Sequence, residues 1–452
     1  MAISTFMGLE TSLRGLLAQQ QALDVTSHNI ANASTTGYSR QTAVLVASPA
    51  YAMPGVSTAP AGAGQLGTGV DVAAYQRIRD SFLDVQYRAQ SMLQGQAQAN
   101  QDGLQQVQLA FNEQPTSTGL SGLLANYWSA WQNLSNNPED MGTRQALAQS
   151  AASLADGFTS LSGQLTTLQS QTAQNVTDTL AQANSFGTQI AQLNLTISKL
   201  EVSGDTPNDL LDQRDVLLDK LSALGNVSAT AGANGSVNVS FGGASLVTAG
   251  ASSTLAETDL TGLTSGKLQG LITLRDTTIP GYQTQLNTIA SALIAKTNTQ
   301  SALGYDLNGN PGGAFFTGTD ASDITVNPAL ISNPALIAAS ASGAVGDSGN
   351  ALAIADMQSV AAIGSSTIDT AYTQLVTQIG SDVQQSTNQV STTTALVNAL
   401  QNSRQSVSGV NLDEEMTNLI TYQRGYQASA RALSAMDSML DQLINRTGRV
   451  GL

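Results

Sequence analysis

The two ends of the chain carry the strongest constraint on folding. Phe6, Leu9, Leu13, Leu16, Gln20, Leu23, Ser27 and Ile30 follow an alternating three- and four-residue spacing, with six of the eight positions apolar. Met416, Leu419, Tyr422, Tyr426, Ser429, Leu433, Met436, Leu440 and Leu443 nearly keep that beat at the other end, and Val376 to Val407 keep it just before. A period near 3.5 residues is a coiled-coil seam, so each end is predicted to be one long helix that needs a partner. Six seam residues bury too little to offset the entropy of ordering a lone helix. Both ends are therefore expected to stay largely disordered until assembly supplies that partner.

Between the ends, punctuation residues divide the chain. Asn29 to Arg40 holds Asn, Ser, Thr and Gly residues that compete with helix hydrogen bonds, and a strand is expected at Thr42 to Ala47. Pro49 to Gly67 reads as a mobile low-complexity loop, and Tyr75 to about Leu200 as helix with a break near Asn136-Asn137-Pro138. A second break at Gly204 to Pro207 opens another helix that Gly225 ends. Residues 226–264 alternate small polar and β-branched residues between glycine turns, which is a strand pattern, and "AFFTG" and "DITV" add short strands within 305–345. Helix fills Lys267 to Leu303 with a notch at Pro280-Gly281, and two long helices meet at Ser408-Gly409. The second of these is expected to start with a capping box between Asn411 and Glu414.

Composition removes most chemistries. Cysteine is absent and His28 is the single histidine, so disulfides, thiolate nucleophiles, cysteine zinc sites and multi-histidine metal sites are excluded. The net charge of −15 argues against nucleic acid or an anionic membrane surface as partner. No apolar run approaches a membrane span, and no cleavable signal peptide is visible at the N-terminus. Residues 1–34 carry Glu10 and Asp24 against Arg14, and residues 410–452 carry five acids against four arginines. Each end is thus −1, which leaves −13 in the middle. Near-neutral patterned ends on an acidic body suit a subunit whose ends pack against related helices while its body faces water.

The catalytic motifs are incomplete. Gly346-Asp347-Ser348-Gly349 echoes a protease nucleophile segment, but its only available base lies in the N-terminal helix. Gly262 to Lys267 is one residue short of a phosphate loop, and Leu268 stands where Ser or Thr should hold magnesium. Asp306 to Asn310 has the start of a calcium loop, but Pro311 takes the glycine position. Asp209, Asp212, Asp215 and Asp219 share a helical face and could be read as glycosidase carboxylates; a solvated face, or salt bridges through Arg214, is the simpler reading. The expectation is no catalytic residue, no cofactor and no metal.

The stretch "LDVTSHNIANASTTGYSRQT" (Leu23 to Thr42) resembles the signature shared by flagellar rod, hook and hook-associated proteins. "GTGVDVAAYQRIRDSFLDVQYR", "PNDLLDQRD" (Pro207 to Asp215) and "SVSGVNLDEEMTNLITYQRGYQASARAL" (Ser406 to Leu433) are similar to the hook-associated proteins of the hook-filament junction in particular. The resemblance implies a non-enzymatic adaptor joining hook to filament, outside the cell, exported unfolded through the flagellar type III apparatus. Its implied partners are the hook protein, the second junction protein, like subunits in a ring, and an export chaperone at the C-terminal helix. Leu13, Leu16, Leu23, Ile30, Met416, Leu419, Tyr426, Leu433, Leu440 and Leu443 would then form the assembly interface. Thr36 stands where many relatives place proline before Gly-Tyr, and a shortfall between about Asp323 and Val345 implies a reduced outermost β domain. A hook protein or flagellin is the nearest alternative.

The expected fold is mainly α, elongated and multi-domain, with N- and C-terminal helices forming a coiled coil, a helical-bundle body and an inserted β-rich domain. The expected domains are 1–34 with 408–452 for assembly, 35–225 with 266–304 and 346–407 for the body, and 226–265 with 305–345 for a small β-rich outer domain.

Overall fold

The structure, a computed structural model, describes residues 6–50, 67–111 and 119–445. Helix α1 (Phe6–Asn32) leads into a turn at Gly37, whose φ is +81°, and then into β1 (Gln41–Ala47). Strand β1 pairs antiparallel with β2 (Val70–Arg77). Residues 51–66, the heart of the loop expected to be mobile, lie outside the described residues. The helix expected from Tyr75 begins only at Ser81, because Tyr75 to Arg77 complete β2 against Ala43 to Gln41. That pairing is non-local, and helical spacing over Tyr75 to Met92 could not reveal it.

Helices α2 (Ser81–Phe111) and α3 (Leu120–Asn136) follow, and the chain breaks at Pro138 as expected. Asp140 then caps α4 (Met141–Val202), its carboxylate accepting from the Thr143 N–H at 2.8 Å. The 62 residues of α4 make a rod about 93 Å long. After Gly204, α5 (Asn208–Leu224) leads into a meander of β3 (Val227–Ala231), β4 (Val237–Phe241), β5 (Ala244–Thr248) and β6 (Ala251–Ser252). Helix α6 (Lys267–Thr273) continues into α7 (Ile279–Ser301) through a π turn at Leu274–Thr278. Pro280 has no N–H to give the Asp276 carbonyl and its ring crowds it, so the turn just upstream widens. This is the notch expected at Pro280-Gly281. Strands β7 (Phe316–Thr317) and β8 (Thr325–Val326) pair with each other, α8 (Pro328–Ser332) and α9 (Gly349–Asp356) are short, and α10 (Ile368–Ser408) and α11 (Leu412–Asn445) close the chain.

Two cores string along α4. One gathers α3, the first part of α4, α7, β7, β8, α9 and the start of α10 around Tyr127, Trp128, Trp131, Phe315 and Phe316. Trp131 is fully buried, with Phe315 5.1 Å away, centroid to centroid. The other packs the second part of α4, α5 and α6 under the four-stranded meander through Leu180, Ile190, Leu221, Phe241 and Leu246. The β stretches at 227–252 and 316–326 therefore pack on different cores and form separate sheets. Among the described residues no helix is long and apolar enough to cross a membrane. The architecture is mainly α, drawn out along one long rod, with small β inserts.

Candidate functional site: the terminal hairpin and its joint

Helices α1 and α11 lie antiparallel in strict register. Gly8 faces Met436, Gly15 faces Ser429, Gln19 faces Gly425 and Asn29 meets Glu415, each step up one helix matched by an equal step down the other. The partner that each end lacks alone is thus supplied by the other end of the same chain, the pairing of N- and C-terminal helices that the expected fold contains. The line of contact on α1 is made of small residues: Gly8, Gly15, Ala18 and Ala22, then Thr26 and Asn29. A methyl group on Gly15 would sit 3.1 Å from Ser429 Oγ, so the backbones approach closely.

The candidate interface residues flank this line. Leu16, Leu23 and Ile30 are half-buried beside it, and Leu419, Tyr426, Leu433 and Leu440 are half-buried on the α11 face that carries Gly425, Ser429 and Met436. Leu13 and Met416 are exposed, Met416 at 52%. Leu443 lies within α11, its side chain outside the described residues. Small and leucine rows share one spacing, so the period alone could not say which row faces the partner. The heptad run Gly8, Gly15, Ala22, Asn29 was the available signal. Facing away from the seam, Phe6, Leu13 and Leu17 form an exposed apolar row on α1, and Met416 and Ile420 are exposed on α11.

At the base of the hairpin all four signature stretches converge. Buried Asn29 is fully satisfied: it donates to the Gln41 carbonyl (2.8 Å) and Glu415 (3.0 Å), and accepts from the Tyr38 hydroxyl (2.8 Å) and the Gln41 N–H (3.0 Å). Glu415, also buried, accepts from Arg40 Nε at 2.7 Å, while Arg40 Nη1 reaches Glu414 at 2.7 Å. Glu414 is thereby drawn to Arg40 instead of closing the expected capping box, and Asn411 alone accepts from the Asp413 N–H. Because Tyr38 gives its proton to Asn29, His28 must donate from Nδ1 to the Tyr38 oxygen (3.0 Å), leaving Nε2 3.5 Å from Asp209.

One residue on, both the N–H and the hydroxyl of Ser39 donate to Asp212 at 2.8 Å. Arg77 holds Asp212 (2.7 Å) and Asp215 (3.0 Å), and Arg79 holds Asp84 (2.6 Å). Arg88 bridges Asp215 (3.1 Å) and Asp219 (2.7 Å), and Arg404 bridges Asp84 and Asp219 at 2.9 Å each. The salt bridges expected through Arg214 are made by these other arginines. Arg214 turns into the second core and donates to Asn194 (3.1 Å) and the Gly235 carbonyl (2.6 Å). Its place on the opposite face of α5 from Asp212 and Asp219 is the reason.

Burial by itself would raise the Asp215 carboxyl, but Arg79, Arg77 and Arg88 together outweigh it and hold the group below the usual range. Glycoside hydrolysis needs one carboxyl raised so that it can donate a proton; Asp215 is shifted the other way, and Asp212 and Asp219 are occupied by arginines. The other motifs are turns. Asp306 accepts from the backbone N–H groups of Asn308 and Asn310, Asp347 from those of Ala341, Ser342 and Gly349, and Asn226 holds Gly262 and Thr264 in place.

Three family models match the chain. Residues 104–316 match the flagellar hook-associated protein FlgK helical domain, residues 401–446 the flagellar basal body rod FlgEFG protein C-terminal region, and residues 9–38 the flagella basal body rod protein. Flagellar hook-associated protein 1 of Bacillus subtilis (strain 168) is 33% identical over 98% of this chain and 99% of its own. The protein of that name from Escherichia coli (strain K12) is 28% identical over 97% and 99%. Its alignment runs over 556 positions against 452 residues here, so at least 104 of them have no counterpart in this chain. The solved flagellar hook junction protein FlgK from Burkholderia pseudomallei superposes with a TM-score of 0.60 at 20% identity, over 71% of this chain and all of that one. With 33% identity to the Bacillus subtilis protein over nearly the whole of both chains, and with the signature residues converging at one joint, the chain belongs to the flagellar hook-associated protein 1 family.

Proposed function

We propose that the protein is a structural subunit of the bacterial flagellum that joins the hook to the filament, built into the junction through its terminal hairpin. It associates with the hook and other axial proteins, as the family's name implies. Its finer partners are the second junction protein and like subunits in a ring, with an export chaperone on the C-terminal helix before secretion through the flagellar type III apparatus. The work is polymerisation, and no bond is broken. The assembly unit is residues 1–34 with 408–452, and its interface comprises Leu13, Leu16, Leu23, Ile30, Met416, Leu419, Tyr426, Leu433, Leu440 and Leu443. The proposed body is residues 35–225 with 266–304 and 346–407, with β1 and β2 at its edge packed on the hairpin, and the proposed β-rich part is 226–265 with 305–345, its two stretches lying on different cores.

The observation that carries this reading is the row of large apolar side chains left in water on the hairpin. Leu13 is 40% exposed and Leu17 48%, at the spacing of one helical face. Deleting the gene and imaging the cells by electron microscopy tests it: hooks should remain and filaments detach, and the full-length chain should restore them. Filaments still firmly attached would end the reading, and loss of the hooks as well would make the chain a hook protein instead.

A further inference from the structure

We infer that Arg40 is a positioning residue that fixes the direction in which the terminal hairpin leaves the body. The hairpin, with β1 and β2 packed on α1, joins the body through two covalent links, Ile78 to Asp80 before α2 and Gly409 to Asn411 after α10. Two such links by themselves make a hinge. Arg40 is bonded to both: its N–H donates to the Ser408 carbonyl at 2.8 Å, and its carbonyl accepts from the Ile78 N–H at 2.8 Å. Its side chain then spans the first turn of α11 through Glu414 and Glu415, and Glu415 passes the tie to Asn29 of α1. The neighbouring Ser39 is anchored on Asp212 of α5. Residues 39 and 40 are thus held by the hairpin on one side and by the body on the other.

Packing does only part of this job, through Gly37, which lies against Val216 of α5. Clefts of about 590 and 710 Å³ flank the Thr35 to Tyr38 turn, one toward α4 and α5, the other toward the link between α10 and α11. Beyond that one contact the turn borders open space, and directional bonds hold it. A lysine at position 40 could meet one carboxylate but could not reproduce the planar fork that reaches two. The bearing of this elbow on a junction, a constant tilt for every subunit, rests on the function proposed above; the elbow itself does not.

The absence of cysteine lets introduced pairs be spin-labelled uniquely. Gln192→Cys with Gln427→Cys spans the joint, and Asp24→Cys with Gln427→Cys stays within the hairpin; all three positions are exposed. Pulsed electron-spin distance measurements on the full chain should give a narrow distribution for both pairs. Arg40→Ala, and separately Glu415→Gln, should widen the cross-joint distribution by about twofold or more and leave the hairpin distance unchanged, with Arg40→Lys in between. An unchanged cross-joint width overturns the inference. So does equal widening within the hairpin, since Arg40 would then serve folding and not direction. These distances are read in dilute solution, so their failure leaves the deletion experiment standing, and the reverse also holds.

Discussion

Replacing Asp212 with alanine tests the joint most directly. Its side chain is only 6% exposed and accepts from the Ser39 N–H, the Ser39 hydroxyl and Arg77, with Arg79 at 3.5 Å. Breaking a buried ion pair from one side costs about 3–5 kcal/mol, chiefly because a charge is left uncompensated. Here Arg77 keeps Asp215 at 3.0 Å and Arg79 keeps Asp84 at 2.6 Å, so neither cation is stranded. The buried Ser39 N–H does lose its acceptor, a loss of about 1–3 kcal/mol. Together with the weakened pairing, the change should be about 3 kcal/mol, at the low end of the range. Because several packed units share the chain, one global unfolding midpoint would blur this; amide hydrogen exchange at Ser39 reads it locally. Exchange there should rise about 100-fold, since each 1.4 kcal/mol is a factor of ten. A rise of less than about threefold would refute the account of how Asp212 is used. The same reasoning bars motility loss in Asp212→Asn from being taken as a sign of catalysis, because a structural carboxylate predicts that loss equally well.

Other expectations follow from the same contacts. Since Asp215 is depressed in the folded state, its stabilisation is present above the ordinary carboxyl value of about 3.9 and is lost as pH falls below it. The joint should hold from pH 7 to 5 and loosen below about pH 4, and a cross-joint distance distribution that stays narrow on acidification past that point would contradict this. Gly15→Ala should preserve or slightly raise hairpin helicity, as Ser429 can turn aside and the helix gains about 1 kcal/mol, whereas Gly15→Leu must part the helices at about 1–3 kcal/mol. Equal circular dichroism for the leucine variant would remove the small-residue seam. Leu13→Asp and Ile420→Asp, on the exposed faces, should leave hairpin stability within about 0.5 kcal/mol of wild type and prevent incorporation at the junction. Leu433→Asp, half-buried beside the seam, should damage both stability and incorporation, so secretion assays and helicity separate the two classes.

Much of the fold was legible because local signals sufficed. Asn137-Pro138 stops α3, Gly204 separates α4 from α5, Pro280 loosens a helix, and glycines pace the meander. What failed needed a distant partner: Tyr75 joins a strand only because Ala43 lies beside it, and Glu414 leaves its cap because Arg40 arrives from far earlier in the chain. The termini were recognisable by period, but a 3,4 beat fits both a leucine row and a glycine-alanine row, and only the facing helix decides between them. The joint shows the same limit. Asn29, Arg40, Asp212 and Glu415 each lay in a distinctive stretch, yet nothing along the sequence indicated that these stretches meet.

The concentration of charge at that meeting point needs a reason, because 11% of this chain is charged and five of its thirteen arginines stand there. Stability is not the reason. Well-packed apolar residues often replace a buried ion pair at no cost, or with a gain of about 1–4 kcal/mol. Apolar burial has no preferred direction, however, while guanidinium-carboxylate forks do. The double variant Arg88→Met with Asp219→Leu separates these two properties. It leaves no arginine or carboxylate of the network unpaired, since Arg404 keeps Asp84 and Asp215 keeps Arg77 and Arg79. Thermal stability should hold or rise, while the cross-joint distance distribution broadens as α2 and α5 gain freedom to slide. A stable variant with an unbroadened distribution would mean that volume alone sets the angle, and that the arginines are not what directs the hairpin.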